Sequence, residues 1–332
     1  MSPDALRPGK LPGSMLAALL RDVPAGDPSV RLGPEVGEDA AAIEVPADTL
    51  VVATDPITLT GSDAGRYAVV INANDVAVSG AVPRWFQVVI LLPPGTSHAQ
   101  VQSLFAEITT ALAALDATLV GGHTEVTPAV HQPVLVGQML GLVGAGRSVA
   151  SSGAAPGDVL VQIGPAPVEG AAVLASERRS ALTALPDDLV EAAVGAADDP
   201  GICVVDAALR ASQLGATAMH DPTEGGLAAG LHELADASGV ALHLTHAAVA
   251  WFAPGLAVCH ELGVDPWAAL ASGCVLATFP PDRADAAVRD LQAASQPTAV
   301  LGEVVAGVGV EVDGAALPVP DRDELARLLE SG

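Results

Sequence analysis

The sequence predicts a mixed α/β protein made of two domains. Short runs of β-branched residues that stop at turn-forming residues alternate with longer segments whose apolar residues recur at helical spacing. The chain has 332 residues, enough for two domains of ordinary size, and half of them are apolar. Gly, Ala and Ser cluster without periodicity near residues 144–155. We therefore expect an N-terminal domain over residues 1–145 and a C-terminal domain over residues 146–332.

The N-terminal domain opens with an amphipathic segment, Ser14–Arg21, and then alternates strands and helices. Ser97 is the expected N-cap of its helix, because a serine hydroxyl accepts a main-chain N–H of the first turn. The order strand, strand, helix, strand, helix, strand, strand indicates a mixed α/β unit. These elements are assigned to Ala41–Val45, Leu50–Thr54, Gly65–Gly80, Trp85–Leu92, Ser97–Leu115, Ala117–Val120 and Val134–Val143.

The C-terminal domain restarts with a strand and ends with a second α/β unit. Its predicted strands are Asp158–Ile163, Val240–Leu244, Cys274–Phe279 and Ala299–Val304. Its predicted helices are Glu169–Arg178, Asp187–Ala196, Ile202–Leu214, one that ends at Ser238, and Ala284–Ala293.

The formal net charge of −25 argues against nucleic acid and anionic membrane surfaces as partners. A phosphorylated ligand would need a divalent cation or main-chain donors to offset that charge. No uninterrupted apolar run reaches the roughly 18 residues of a membrane span, and the first ten residues lack the layout of a signal peptide. These features are typical of a cytoplasmic protein. The three cysteines are widely separated, so we expect reduced, mostly buried thiols at Cys203, Cys259 and Cys274.

Four polar clusters of the N-terminal domain are expected where a strand ends or a helix begins. They are Val36–Ala41, Thr54–Pro56, Ala73–Ala81 and Gly121–Glu125. Oxygen ligands that converge from several segments are what Mg²⁺ prefers, and paired glycines let the main chain approach a ligand. Each cluster also has a purely structural interpretation: a turn, a strand end, an exposed helix face or a tight connection.

A fifth cluster, His220–Gly226, lies in the C-terminal domain. It is consistent with a helix N-terminus capped by Asp221 or Thr223, although a cap does not explain the paired glycines.

The order and spacing of the five clusters resemble the AIR synthase superfamily, which has the PurM-like two-domain fold. The resemblance runs from about Gly33 to Glu303, and its most specific phrase is Ala73–Pro83. The segment His220–Leu227 is similar to the HypE-like branch, which serves hydrogenase maturation.

This resemblance implies that the N-terminal domains of two subunits pair into an intersubunit β-barrel, with a C-terminal α/β domain alongside. It implies ATP whose phosphates are held through Mg²⁺. Carried onto this sequence, the metal-binding residues are Asp39, Asp55, Asp75 and Glu125. The other nucleotide-binding residues are Asn74, Gly121, Gly122, Thr124, Asp221, Gly225, Gly226 and Lys10. Lys10 either closes over the phosphates or lies solvated on a mobile arm.

The chain departs from the family at two points. Relatives place Asp or Glu directly after the glycine pair, where this chain has His123, so either Glu125 takes over or the site is altered. HypE-like proteins end in a cysteine that is carbamoylated and then dehydrated, but no cysteine follows Cys274 here, and we expect no such role in cis.

The leading hypothesis is an enzyme that uses Mg–ATP to activate an oxygen of a small substrate by phosphorylation. His123, Glu125 and Glu224 are the candidates for the general base. One alternative is a small-molecule kinase resembling thiamine monophosphate kinase. Another is a non-catalytic nucleotide-binding scaffold that acts with a maturation-protein partner.

Overall fold

The computed structural model of the chain describes residues 9–10, 13–21, 23, 27–32, 42–45, 49–58, 63–144, 148–320 and 324–330. The chain divides into two compact units. Unit 1 comprises Met1–Val76 and Ala81–Ala145, and unit 2 comprises Ala77–Gly80 and Gly146–Gly332.

Strands and helices alternate in both units, and the predicted mixed α/β fold is confirmed. The strands are β1 (Gly9–Lys10), β2 (Val30–Leu32), β3 (Ala42–Ile43), β4 (Leu50–Ile57), β5 (Val82–Leu92), β6 (Thr118–Val126), β7 (Val134–Leu142), β8 (Val159–Ile163), β9 (Ala218–His220), β10 (Ala241–Leu244), β11 (Val275–Phe279), β12 (Thr298–Val305), β13 (Gly309–Val312) and β14 (Ala315–Ala316). The helices are α1 (Gly13–Arg21), α2 (Ala64–Val78), α3 (His98–Ala114), α4 (Glu169–Glu177), α5 (Asp187–Val194), α6 (Val205–Gln213), α7 (Gly226–Ser238), α8 (Ala253–Leu262), α9 (Pro281–Ala293) and α10 (Glu324–Glu330).

Unit 1 is built on a five-stranded sheet in the order β1-β6-β5-β7-β4. Its strand pairs are antiparallel except β5 and β6, which run parallel. Helix α2 lies directly on β7, because a Cβ at Gly137 or Gly141 would come within 2.5 Å of Asn72 Nδ2 or Val76 Cγ1. Ser97 caps α3 through a capping box with Gln100, as predicted.

The opposite face of this sheet carries exposed apolar side chains. Side chains alternate between the two faces along a strand, so residues one position away from those facing α2 point to the other side. Leu50, Val52, Val82 and Val89 lie there and are 37–49 % exposed. The β2–β3 pair covers one end of this face, where Val30 and Ile43 pack against Trp85.

Unit 2 is built on a seven-stranded sheet in the order β14-β13-β10-β12-β8-β11-β9. Helix α7 packs on it through Leu227, Leu231 and Leu234, which share one core with Leu160 and Leu276. Helix α9 packs against β8, β11 and β12.

Several element boundaries differ from the sequence prediction. Strand β4 continues through Asp55 and Pro56 to Ile57, and β6 continues through Gly121–Glu125 to Val126, because both pair with neighbouring strands over that length. The polar clusters of unit 1 at these positions therefore lie inside strands rather than at their ends. Helix α6 begins at Val205, later than predicted. The sequence interpretation missed β1, β2, β9, β13, β14, α8 and α10.

The cysteines are unpaired thiols, as expected, and Cys259 and Cys274 are buried whereas Cys203 is exposed. Burial raises the pKa of the Cys259 thiol to about 12. In the described part of the chain, no helix has the length and apolar character needed to cross a membrane.

Candidate functional site

Helix α2 is attached to the edge strand β4 at Asp55. The Asn72 side chain is fully buried, and its Oδ1 accepts a hydrogen bond from the main-chain N–H of Asp55 over 2.8 Å. Its Nδ2 donates to the main-chain oxygens of Ala68, at 2.8 Å, and Asp55, at 3.4 Å. The sequence interpretation missed Asn72, although it lies three residues before Asp75 on the same helix. The Asn72 side chain therefore holds the main chain of Asp55 next to α2.

Asn72→Ala is expected to lower the free energy of unfolding by about 2 kcal/mol, because it leaves buried polar groups without partners. Urea denaturation of the variant measures this. Thr110→Ala, which removes an exposed side chain from α3, should change the free energy of unfolding by less than about 0.5 kcal/mol. Equal stability of the two variants would contradict the assigned role of Asn72.

Asn74 and Asp75 follow on α2, where Asn74 is fully buried and Asp75 is half-buried. Among the described residues, no three His, Cys, Asp or Glu side chains form a group that could hold a metal ion. Asp55, Asp75 and Glu125 are thus not gathered into one cluster in this chain, and Asp39 lies outside the described residues. The predicted magnesium site stays a prediction.

Strand register places the predicted residues of unit 1 on opposite faces of the sheet. Asp55 pairs with Gly137, which pairs with Val88, which pairs with Gly122, so this row faces α2. His123 is the residue after Gly122 and therefore points to the other face. From the sequence we expected the polar clusters of Asp55 and His123 to converge. Successive side chains of β6 alternate between the two faces of the sheet, so Asp55 and His123 lie on opposite faces.

The two adjacent glycines of β6 have different roles. Gly122 has φ +151°, and a Cβ there would lie 2.1 Å from the carbonyl oxygen of Val88. Packing against β5 therefore requires a glycine at this position. A Cβ at Gly121 would meet nothing closer than the Gln87 side chain at 4.0 Å. Nothing around Gly121 in the described structure requires a glycine.

His123 and Glu125 form a partly exposed pair on the face of the sheet opposite α2. His123 Nε2 lies 3.4 Å from Glu125 Oε2, and the two side chains are 40 % and 35 % exposed. Lys10 is opposite Glu125 in the β1–β6 pair, but the side chain of Lys10 lies outside the described structure. Thr124 points to the α2 face and is half-buried. The structure thus brings together both predicted catalytic residues of unit 1.

The fifth cluster joins β9 to α7 in unit 2. Gly225 is the N-cap of α7 and adopts φ +75°, so the structural interpretation that put Asp221 or Thr223 at the cap position is wrong. Gly226 has φ +68°, and a Cβ there would lie 2.6 Å from the carbonyl oxygens of Trp267 and Ala269. Main-chain conformation and packing therefore account for both glycines. Asp221 is buried and Glu224 is exposed.

His220, at the end of β9, forms a pair with Glu233 of α7 that the sequence interpretation missed. His220 Nε2 lies 2.7 Å from Glu233 Oε2. The hydrogen bond from His220 lowers the pKa of the Glu233 carboxyl. Glu233 is 13 residues away along the chain, and only the packing of α7 beside β9 brings it to His220, so the local sequence carried no signal for it.

Two family matches cover both units. Residues 37–143 match AIR synthase related protein, N-terminal domain, and residues 155–315 match AIR synthase related protein, C-terminal domain. Carbamoyl dehydratase HypE of Rhodobacter capsulatus is 30 % identical over 275 residues, which cover 80 % of this chain and 78 % of that protein.

Solved structures share the fold. Escherichia coli HypE, a hydrogenase maturation protein, superposes with a TM-score of 0.78 at 22 % identity and covers 95 % of this chain and 99 % of its own. HypE in complex with ATP superposes with a TM-score of 0.70 at 24 % identity, over 88 % and 90 % of the two chains. A HypE–HypF complex has a TM-score of 0.69 at 21 % identity, over 86 % and 93 %. Thiamine-monophosphate kinase from Stenotrophomonas maltophilia K279a also has a TM-score of 0.69, at 25 % identity, over 92 % and 96 %.

The predicted resemblance is thereby confirmed. With family matches on both units and a relative at 30 % identity over most of both chains, this chain belongs to the AIR synthase-related family and is HypE-like.

Proposed function

We propose that this chain is an ATP-dependent enzyme of the AIR synthase/HypE type that phosphorylates an oxygen of a small substrate. The observation that carries the proposal is the 30 % identity to a carbamoyl dehydratase across both units. By analogy with that relative, the substrate class is a carbamoyl group. Its oxygen attacks the γ-phosphorus, ADP leaves, and loss of the phosphate with two protons turns the carbamoyl group into a nitrile.

Magnesium–ATP is the proposed cofactor, and the chemistry of the available side chains suits it. Asp55 of β4 and Asp75 of α2 offer hard carboxylate oxygens. Asp39 and Glu125 are the other two proposed ligands, carried over from the family resemblance. A divalent cation would offset the charge of the phosphates, which is favourable in a chain of net charge −25.

The other proposed nucleotide contacts are carried over from the family resemblance. Gly121 leaves open space for the nucleotide, while Gly122 keeps the β6 main chain close to β5. The remaining proposed contacts are Lys10, Asn74, Thr124, Asp221, Gly225 and Gly226.

The proposed general base is His123, Glu125 or Glu224. His123 Nε2 and Glu125 Oε2 lie 3.4 Å apart, and both side chains are partly exposed to solvent. Either side chain is therefore accessible as an acceptor for a proton of a bound substrate. Glu224 is exposed just before α7.

A homodimer is the proposed assembly. The face of the unit 1 sheet that carries the exposed apolar side chains of Leu50, Val52 and Val89 also carries His123 and Glu125. A second copy on this face would bury the apolar side chains and close a barrel, and would border the His123–Glu125 pair. A maturation protein is a further proposed partner, by analogy with the HypE–HypF complex.

The proposal is tested by calorimetric titration of ATP into the protein, with and without Mg²⁺. The molecular mass of the protein in solution is measured first, to show whether it is a dimer. We expect about one site per subunit and loss of binding when EDTA removes the metal. Absence of ATP binding under both conditions would contradict the proposal and the nucleotide-binding scaffold alike.

Product analysis with carbamoyl compounds separates the alternatives. A dehydratase releases ADP and inorganic phosphate together. A kinase, the second candidate because of the shared fold with thiamine-monophosphate kinase, releases ADP while the substrate keeps the phosphate. A scaffold binds ATP and releases neither product.

A further inference from the structure

Unit 2 carries a cluster of three aromatic rings in a chain that has few of them. Only 2 % of the residues are Phe, Trp or Tyr. The aromatic patch consists of His246, Trp251 and Trp267, whose ring centroids are 5.0–6.1 Å apart. The two indoles meet edge to face at 89°. A cluster of this kind is unexpected in a chain with so few aromatic residues.

One side of the aromatic patch is fixed and the other is accessible. Trp251 and Trp267 pack against the core of unit 2, and both remain half-buried, while His246 is exposed. The carbonyl oxygen of Trp267 accepts a hydrogen bond from Ala228 in the first turn of α7. Centroid distances of 5.0–6.1 Å leave no room between the rings, so a bound group must stack on their outer surfaces.

Two carboxylates hold the main chain of the aromatic residues. Asp265 Oδ1 accepts the main-chain N–H of Trp267 at 3.0 Å, and Asp313 Oδ1 accepts that of His246 at 3.4 Å. Asp313 occupies the turn between β13 and β14, with φ +52°. Arg327, which reaches the carbonyl oxygen of Gly263 near Asp265, is itself paired with Glu324. The border of the aromatic patch is therefore acidic.

We propose that the aromatic patch binds an arginine side chain presented by a partner protein. A guanidinium is planar and weakly hydrated, so it stacks on an indole face while its N–H groups reach carboxylates. Asp265 and Asp313 supply those carboxylates, and the net charge of −25 favours approach of a cationic segment. Tryptophans anchored on a core lose little side-chain freedom on binding, which is why they are frequent at binding hot spots.

The test uses the peptide acetyl-Ala-Arg-Ala-amide and the NMR signals of the three tryptophan indole N–H groups. Trp85 is fully buried in unit 1 and serves as the internal reference. The peptide should shift the signals of Trp251 and Trp267 saturably and leave that of Trp85 unchanged. Trp251→Phe should weaken the binding about threefold. Asp265→Asn should weaken it about twofold, an effect that added salt reduces.

Asp285→Asn, which removes an exposed carboxylate of α9, is the matched control and should leave binding unchanged. Circular dichroism of each variant checks that it is folded. The proposal is overturned if the signals do not shift, or if the same peptide with uncharged citrulline binds equally well. It is also overturned if the Trp251 and Trp267 signals depend on protein concentration alone, because a second copy would then cover the aromatic patch.

Discussion

Asp75→Asn is expected to lower the affinity for magnesium–ATP at least about tenfold, because a carboxylate ligand of the proposed site loses its charge. Asparagine has the same shape as aspartate, so the half-buried position on α2 keeps its packing. Thermal unfolding should be almost unchanged. Calorimetry with ATP in the presence of Mg²⁺ measures the affinity.

The matched control for this prediction is Asp116→Asn. Asp116 is an exposed turn residue of the same unit with φ +52°, a conformation that asparagine adopts readily. It should leave ATP affinity as it is. If Asp75→Asn and Asp116→Asn bind magnesium–ATP equally tightly, Asp75 is not a metal ligand.

Gly122→Ala is expected to destabilise unit 1 by about 3 kcal/mol, because the new Cβ meets the Val88 carbonyl oxygen and φ +151° strains any residue except glycine. Gly121→Ala, one residue earlier, should leave the stability unchanged, since its Cβ enters open space. Chemical denaturation of the pair measures the difference.

ATP binding gives the same pair a second readout. If Gly121 borders the nucleotide, Gly121→Ala should weaken ATP binding in a fully folded protein. Unchanged ATP affinity in Gly121→Ala would place the nucleotide away from β6. Equal stability of the two variants would contradict the packing role assigned to Gly122.

Local sequence was sufficient for the main strands and helices of unit 1 and for the family. Ser97 and Gln100 make the capping box that starts α3, and this signal lies within four residues. The apolar helix that carries Asn74 and Asp75, and the strands β5 and β7, also follow from periodicities within single segments. These features need no information about which segments pair.

Pairing between distant segments decided the arrangement of the candidate site. The lengths of β4 and β6 depend on hydrogen bonds to β7 and β5. Asp55 and Gly121 therefore lie inside these strands, although the local sequence predicted that both strands end before them. The register shift between Phe86 and Gln87 sets which residues of β6 face α2. Local sequence does not encode that shift.

Tertiary packing likewise distinguished residues that look alike in the sequence. Gly121 and Gly122 are adjacent and identical, but only Gly122 lies against the carbonyl group of a neighbouring strand. Asn72 and Glu233 acquire their roles from partners 17 and 13 residues away. The sequence by itself determined the mixed α/β elements and the AIR synthase-related family. Only the tertiary structure decided which side chains share a face of the sheet, because strand register depends on contacts between segments far apart in the chain.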